Sequence, residues 1–311
     1  MPAIVLQTQG LTKRFGSLTA VSDLSLAVYA GEIFGFLGPN GAGKTTSINM
    51  MCGLLKPDAG QVFIHGQPIT HEDTTVRSSV GVCAQNNALW GQLTCLEQMQ
   101  FMGEMYRLPG KVARQRGLHL LEKLDLADKT HKLARTLSGG MQRRLSLALA
   151  LVHDPDLLIL DEPEAGLDPQ SRLLVREYIR SLARDKTIIL TTHNMDEAER
   201  LADRVAIIDQ GCLLIVDTPE ALKHTMGSGD VLEIEIQNGV VDKALAAVLP
   251  ILPQVSPADH SLVIRSLGVV EHLPAILDAL RSADILPGDV RLRPNSLEDV
   301  FISLTGRSLR E

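Results

Sequence analysis

Gly38-Pro39-Asn40-Gly41-Ala42-Gly43-Lys44-Thr45-Thr46 is the stretch from which this chain is best read. Before it, Gly31-Glu32-Ile33-Phe34-Gly35-Phe36-Leu37 is a short, nearly unbroken apolar run, the pattern of a strand buried on both faces. After it, Ser47-Ile48-Asn49-Met50-Met51 opens a helix. Strand, glycine-rich loop and helix N-terminus together match the phosphate-binding pattern G-x-x-x-x-G-K-[ST] in the context it requires. Gly38, Gly41 and Gly43 permit backbone conformations closed to larger residues, so successive N–H groups can converge on one anion. The helix that follows adds the positive end of its dipole. Lys44 then reaches the β- and γ-phosphates, the Thr45 hydroxyl binds Mg²⁺, and Thr46 adds a further contact.

Composition narrows the field. The 311 residues suffice for one large core and a smaller domain. Net charge is −7 with no basic block, which argues against nucleic acid as a partner. Cys52, Cys83, Cys95 and Cys212 show no C-x-x-C spacing and read as buried thiols of a reducing compartment. The start of the chain lacks a signal-peptide pattern, and no run of about 18 apolar residues occurs, so a cytosolic chain is expected.

Outward from the loop, residues 4–30 alternate like half-exposed strands, with Phe15 in a turn between them. An aromatic there can stack on adenine or pack beneath its own loop. Lys56-Pro57-Asp58-Ala59-Gly60 reads as a turn, and residues 61–66 return as a strand. From Asn86 to about Arg135 the period becomes helical, with a break at Leu108-Pro109-Gly110. Strands at 157–160, 187–192 and 205–209 then alternate with helices at 172–184 and 195–202, the signature of an α/β sheet flanked by helices. Met226-Gly227-Ser228-Gly229-Asp230 reads as a linker. Beyond it, strands and helices alternate in a small α+β unit of ferredoxin-like type.

Leu157-Leu158-Ile159-Leu160-Asp161-Glu162 is an apolar strand ending in two carboxylates. Ligands of α/β sheets lie at the carboxyl ends of strands, so both acids are expected beside the phosphate loop. Asp161 suits the Mg²⁺ shell, and Glu162 can orient or deprotonate the attacking water. A carboxylate of pKa about 4.3 is a weak base, so orientation is the larger share. Leu137-Ser138-Gly139-Gly140-Met141-Gln142 is a candidate for a second anion cradle, in which Ser138 can cap a helix and Gly139 and Gly140 let a phosphate approach its N–H groups; taken in isolation, the same residues read as no more than a capped helix. A chain with one complete phosphate loop has use for a second cradle if it serves the nucleotide of another subunit.

Over residues 4–224 the chain resembles the ATP-binding subunits of ATP-binding-cassette (ABC) transporters. The resemblance rests on the phosphate loop, Gln85, the Leu137–Gln142 signature, the Asp161-Glu162 strand, Gly166-Leu167-Asp168 and Thr191-Thr192-His193, in that order. It implies an α/β P-loop ABC ATPase core: a mixed sheet flanked by helices, an antiparallel β subdomain and a helical signature subdomain over about 86–145. The expected division is 1–226 for this domain and 227–311 for a C-terminal α+β accessory domain. It further implies that Phe15 stacks on adenine, that Gln85 senses Mg²⁺ and water, and that His193 contacts the γ-phosphate. Asp168 falls in a loop crossing a head-to-tail dimer, in which Ser138 and Gly140 face the nucleotide held by Lys44 of the other subunit. ATP and Mg²⁺ are the implied ligands. The implied partners are a second ATP-binding subunit and a separate transmembrane permease, at the cytoplasmic face of the membrane.

Met141, the extra C-terminal domain and the ending Asn295–Arg307 resemble type-2 exporters of the daunorubicin-resistance kind. Ala84 stands where the family usually has proline, and Glu164 where it has Thr or Ser, which places another carboxylate near the dimer interface. An alternative reading is a soluble ABC ATPase of DNA repair or translation, disfavoured because the chain shows one cassette and no sustained heptads. A nucleotide switch without turnover is disfavoured by intact Lys44, Asp161, Glu162 and His193. Leu89, Trp90, Phe101, Met102, Met105 and Tyr106, after Gln85, either line a groove for the permease or fill the helical subdomain's own core.

Overall fold

The computed structural model describes residues 2–69, 78–86, 88–225, 230–237, 240–258, 260–266 and 268–306. Of the linker read at 226–230, residues 226–229 lie outside them and Asp230 already belongs to a strand. Two compact units meet in sequence between Thr218 and Pro219.

The first unit is built on a six-stranded sheet of β3 (Ile33–Leu37), β6 (Val80–Cys83), β7 (Leu157–Asp161), β8 (Thr187–Thr192), β9 (Arg204–Asp209) and β10 (Cys212–Asp217), in the order β10-β9-β3-β8-β7-β6. All neighbours are parallel except β10, which returns antiparallel to β9. Parallel strands are covered on both faces, so each alternates between two cores rather than between core and water. Leu157, Ile159 and Ile189 face one cluster, and Leu158, Leu160, Ile188 and Leu190 face the other. The first cluster is closed by helix α1 (Lys44–Met51) and by an antiparallel sheet of β1 (Ile4–Phe15), β2 (Leu18–Tyr29), β4 (Ala59–Ile64) and β5 (Gln67–Pro68), in the order β2-β1-β4-β5.

The second cluster packs α2 (Cys95–Met105), α3 (Gly110–Lys123), α4 (Gly139–Leu151) and α5 (Pro169–Leu182). Thr94 and Glu97 form a capping box that starts α2, and Pro109 separates it from α3. Helix α5 begins at Pro169 behind an Asp168 cap, earlier than the periodicity alone places it. A last helix, α6 (Met195–Leu201), follows β8 under an Asn194 cap.

After α4, His153 is held against β6 by a 3.3 Å contact from Nε2 to the Val80 carbonyl, and its ring stacks on Tyr106 at 3.7 Å. Burial pulls the imidazole down to about 4, against the Val80 hydrogen bond, which favours the charged form. In the unfolded chain this group takes its proton near pH 6.5. The neutral ring therefore stabilises the fold fully above that value, and the contribution is lost as the pH falls from about 6.5 toward 4. Thermal melts at pH 7 and pH 5 are expected to show a smaller drop for His153→Gln than for the parent; equal drops would remove this role.

The second unit contains α7 (Pro219–Thr225), β11 (Asp230–Ile236), α8 (Val241–Val248), β12 (Val255–Ala258), β13 (Ser261–Ser266), α9 (Val269–Ser282), β14 (Pro287–Arg293) and α10 (Leu297–Thr305). From β11 to β14 the order of elements is βαββαβ, and the antiparallel sheet runs β12-β13-β11-β14, the ferredoxin-like arrangement. Leu232, Ile234 and Ile236 face Ala244, Val248, Ile276 and Leu280 of α8 and α9. Strand β12 had no clear pattern in the sequence because it is an edge strand containing Pro257, a residue tolerated there and not in a central strand. Helix α7, read above with the first domain, packs on α10 instead.

Candidate active site

Because β3, β8, β7 and β6 are parallel neighbours, their carboxyl ends lie side by side along one sheet edge. They deliver the phosphate loop, His193, Asp161-Glu162 and Gln85 to one place. Glycine is required in the loop for two different reasons. Gly43 has φ of 98°, and a Cβ there would sit 2.4 Å from the Ala20 carbonyl oxygen. Gly38 does not take a left-handed conformation; its constraint is close packing, since a Cβ would lie 2.4 Å from the Ile208 oxygen. The Lys44 ammonium donates to the carbonyls of Gly38 at 2.7 Å and Pro39 at 3.0 Å, folding the side chain back over the loop. Burial lowers the Lys44 pKa, against the nearby Glu162 and Asp161 carboxylates, which raise it.

A cavity of about 690 Å³ opens above this loop. Phe15, Asn40, Gly41, Gly43, Lys44, Thr45, Thr46, Gln85 and Glu162 line it. So do Leu18, Thr19, Ala20 and Gln210, which carry no motif and reach the cavity only through the fold. Phe15 is 51% exposed and is not packed beneath its loop. Gly38, Pro39, Ala42, Asp161 and His193 do not line it.

The carboxylates are tightly specified. Thr45 Oγ1 lies 3.2 Å from Asp161 Oδ2, and the Thr191 hydroxyl donates to Asp161 Oδ1. Glu162 Oε1 is 2.9 Å from His193 Nδ1, and Oε2 accepts from Gln85 Nε2 at 3.2 Å. Glu162 itself has φ of 50°, a left-handed conformation that costs a non-glycine residue on the order of 1–3 kcal/mol. Its N–H is held by Thr191, through Oγ1 at 3.0 Å and the carbonyl at 3.1 Å. A hydroxyl beside a carboxylate is a hard-oxygen donor set suited to Mg²⁺, which takes few protein ligands and completes its shell with phosphate and water. No group of three or more His, Cys, Asp or Glu side chains forms a metal site among the described residues.

Ser138, Gly139, Gly140 and Asp168 do not line this cavity. Ser138 Oγ caps α4 by accepting from Met141 N at 3.3 Å; a Cβ on Gly139 would meet nothing within 4 Å, whereas one on Gly140 would lie 3.4 Å from Ser171 Oγ, so the helix end is open on the Gly139 side. Asp168 caps α5 through the N–H groups of Gln170 and Ser171. Glu164 is buried and is spent inside the unit: its carboxylate is gripped by Arg176 at 3.0 and 2.6 Å, so it presents no free charge at the surface.

Parallel strands that bring a phosphate loop, an Asp-Glu pair and a histidine to one edge define a P-loop nucleoside triphosphatase. A profile of the ABC transporter family matches residues 21–165. The chain is 41% identical to the Nod factor export ATP-binding protein I of Ralstonia nicotianae, over 99% of this chain and 95% of that protein. It is 37% identical to a daunorubicin resistance ATP-binding protein of Streptomyces coeruleorubidus, over 100% and 98% of the two chains. Among solved structures, a dimeric ATP-binding cassette in a post-hydrolysis state with ADP and Pi superposes with a TM-score of 0.63 at 26% identity, covering 68% of this chain and 98% of that one. This chain belongs to the ABC transporter family and is one of its ATP-binding, ATP-hydrolysing subunits.

Proposed function

We propose that this chain is the motor subunit of an exporter, closing as a dimer on ATP and driving a separate membrane permease. The observation that carries the chemistry is the Glu162 carboxylate, held between His193 and Gln85 on the wall of the cavity that contains Lys44. Phe15 would stack on the base, while the loop amides and Lys44 hold the phosphates. Thr45, Asp161 and Gln85 would hold Mg²⁺, which when bound neutralises the phosphate charge. Glu162 then orients the attacking water, and His193 steadies Glu162 and reaches toward the γ-phosphate. Ser138, Gly139 and Gly140 of the second subunit would close over the same nucleotide, with Asp168 at the crossing. Relatives aligned along their full length are export and drug-resistance ATP-binding proteins, which favours export over a repair or translation role. No helix among the described residues is long and apolar enough to cross a membrane. Magnesium-dependent ATP turnover, together with co-purification of a membrane protein from the neighbouring reading frame, tests this reading; absence of turnover would end it.

The permease is expected at the exposed edge of α2. Phe101 and Met105 are 42% and 65% exposed, and Trp90 meets Phe101 edge-on at 5.1 Å. Leu89 and Met102 pack against the subunit's own core, and Tyr106 is engaged with His153. The six candidate side chains thus split between surface and core. Phe101→Ala and Met105→Ala are expected to uncouple transport from hydrolysis with melting temperatures nearly unchanged. Truncating Met99, fully buried on the same helix, should cost about 2–5 kcal/mol instead. A large melting loss at Phe101 and Met105 would retire the docking edge.

A further inference from the structure

Helix α4 carries a buried arginine that phosphate binding and the Glu162–His193 contact leave unexplained. Arg143 is 5% exposed, and its guanidinium donates to backbone carbonyls on two separate loops. One amino group serves the loop after β6, donating to Ala84 O and, at 3.2 Å, to Gln85 O. The other serves the loop after β7, donating to Asp161 O and, at 2.9 Å, to Glu162 O. Nε reaches Pro163 O at 3.4 Å. A planar fork of fixed geometry thus spans the backbones of the two residues whose side chains meet 3.2 Å apart at the cavity.

We propose that Arg143 is a positioning residue for ATP hydrolysis: it fixes the Gln85 loop against the Glu162 loop and ties both to the helix that Ser138 caps. The inference rests on the ATPase reading above. Glu162 is held in its left-handed conformation from both sides, its N–H by Thr191 and its carbonyl by Arg143. Without the fork, the Asp161 and Glu162 carbonyls lose buried charged donors, and only the Thr191 contact on the Glu162 N–H and the Ala165 N–H on its carbonyl, at 3.1 Å, are left to resist relaxation toward negative φ. That relaxation carries the carboxylate away from His193 and Gln85.

The same side chain has a second consequence. Arg143 lies three residues after Gly140 on one rigid helix, about 4.5 Å along its axis. A shift of the N-terminus of α4 against the nucleotide of a second subunit therefore moves the fork that holds this subunit's own carboxylate. The contact gives the two sites of a dimer a direct mechanical link.

The test uses the full chain with Arg143→Gln and Arg143→Lys. Lysine keeps the charge but concentrates its donors at one point, so it cannot serve both loops. Affinity for a fluorescent non-hydrolysable ATP analogue is expected to stay within about threefold of the parent. The kcat is expected to fall by about thirtyfold or more in the glutamine variant, and by less in the lysine variant, as a displaced reacting group requires. Added to Glu162→Gln, either substitution should lower turnover no further. If Arg143→Gln does not fold, the kcat and affinity of Arg143→Lys decide the matter. A parent-like kcat in the folded variants, or a loss confined to affinity, overturns the proposal. A parent chain that does not hydrolyse ATP overturns the ATPase reading itself, and this inference with it.

Discussion

Glu162→Gln is expected to reduce ATP turnover by about 10²–10⁴-fold while ATP remains bound. The carboxylate offers an acceptor to each neighbour, Oε1 toward His193 Nδ1 at 2.9 Å and Oε2 toward Gln85 Nε2 at 3.2 Å. Its remaining lone pairs are free to order a water beside the phosphates. An amide of the same shape has one acceptor end and one donor end. Whichever way it turns, a donor is presented to one of the two neighbours and the negative charge is gone. Lys44, Thr45 and Asp161 are untouched, so the nucleotide stays and the closed dimer should accumulate. Single-turnover kinetics and size-exclusion chromatography with MgATP read the two effects separately. Hydrolysis at the parent rate, or a variant that remains monomeric with ATP, would remove Glu162 from the role given to it. Lys44→Ala should do the opposite, raising the dissociation constant for ATP before any effect on chemistry, because its ammonium is the charge placed over the loop.

How much of this was legible before the fold was known depends on how local each signal is. The phosphate loop is the most legible part, since its glycines, lysine and threonines act within nine consecutive residues. The carboxylates were legible as a strand end beside the phosphate loop, but that β8 stands between their strand and β3 follows from the order β3-β8-β7-β6, which is not the order in sequence. Arg143 was not legible at all. Two adjacent arginines in a helix read as solvated surface, and the carbonyls that bury this one lie on loops 18 to 59 residues away. Glu164 shows the reverse case. A carboxylate in a loop near a dimer contact reads as exposed charge, yet Arg176 on the next helix absorbs it. Leu18, Thr19, Ala20 and Gln210 reach the cavity only because β2 and the β9–β10 turn fold over the loop, which no residue type announces.

The ending Asn295–Arg307, which resembles the exporter subclass, contains Leu297-Glu298-Asp299-Val300-Phe301, and the fold gives this stretch a structural task. Leu297, Val300 and Phe301 are buried, and Asp299 is 2% exposed. Asp299 forms a capping box with Ser296 and accepts from Arg293 at 2.6 and 3.0 Å and from Arg265 at 2.9 Å. The two arginines flank Val231 on one face of the sheet, one from each neighbouring strand, so a single carboxylate joins β13, β14 and α10. Burial alone would raise the Asp299 pKa; the hydrogen bonds from Arg293, Ser296 and Arg265 outweigh it and hold the group well below the usual carboxylate range. Asp299→Ala leaves Arg265 without this carboxylate and Arg293 with only Glu233, 3.9 Å from its Nε, and is expected to destabilise the second unit by about 1–3 kcal/mol. Against a domain stability of about 5–15 kcal/mol that is a large share, and α10 should detach first. The pH dependence has a definite sign. A depressed folded pKa stabilises the unit fully above the unfolded value near 3.9, and the contribution is lost as the pH falls below it. That window lies below the one expected for His153. Melting of the full chain from pH 7 down to pH 3 should therefore show the C-terminal transition falling steeply only under about pH 4 in the parent. In Asp299→Asn it should be low throughout and nearly flat. A variant whose C-terminal transition matches the parent at pH 7 would show that the arginines find other partners and that Asp299 is not what joins α10 to the sheet.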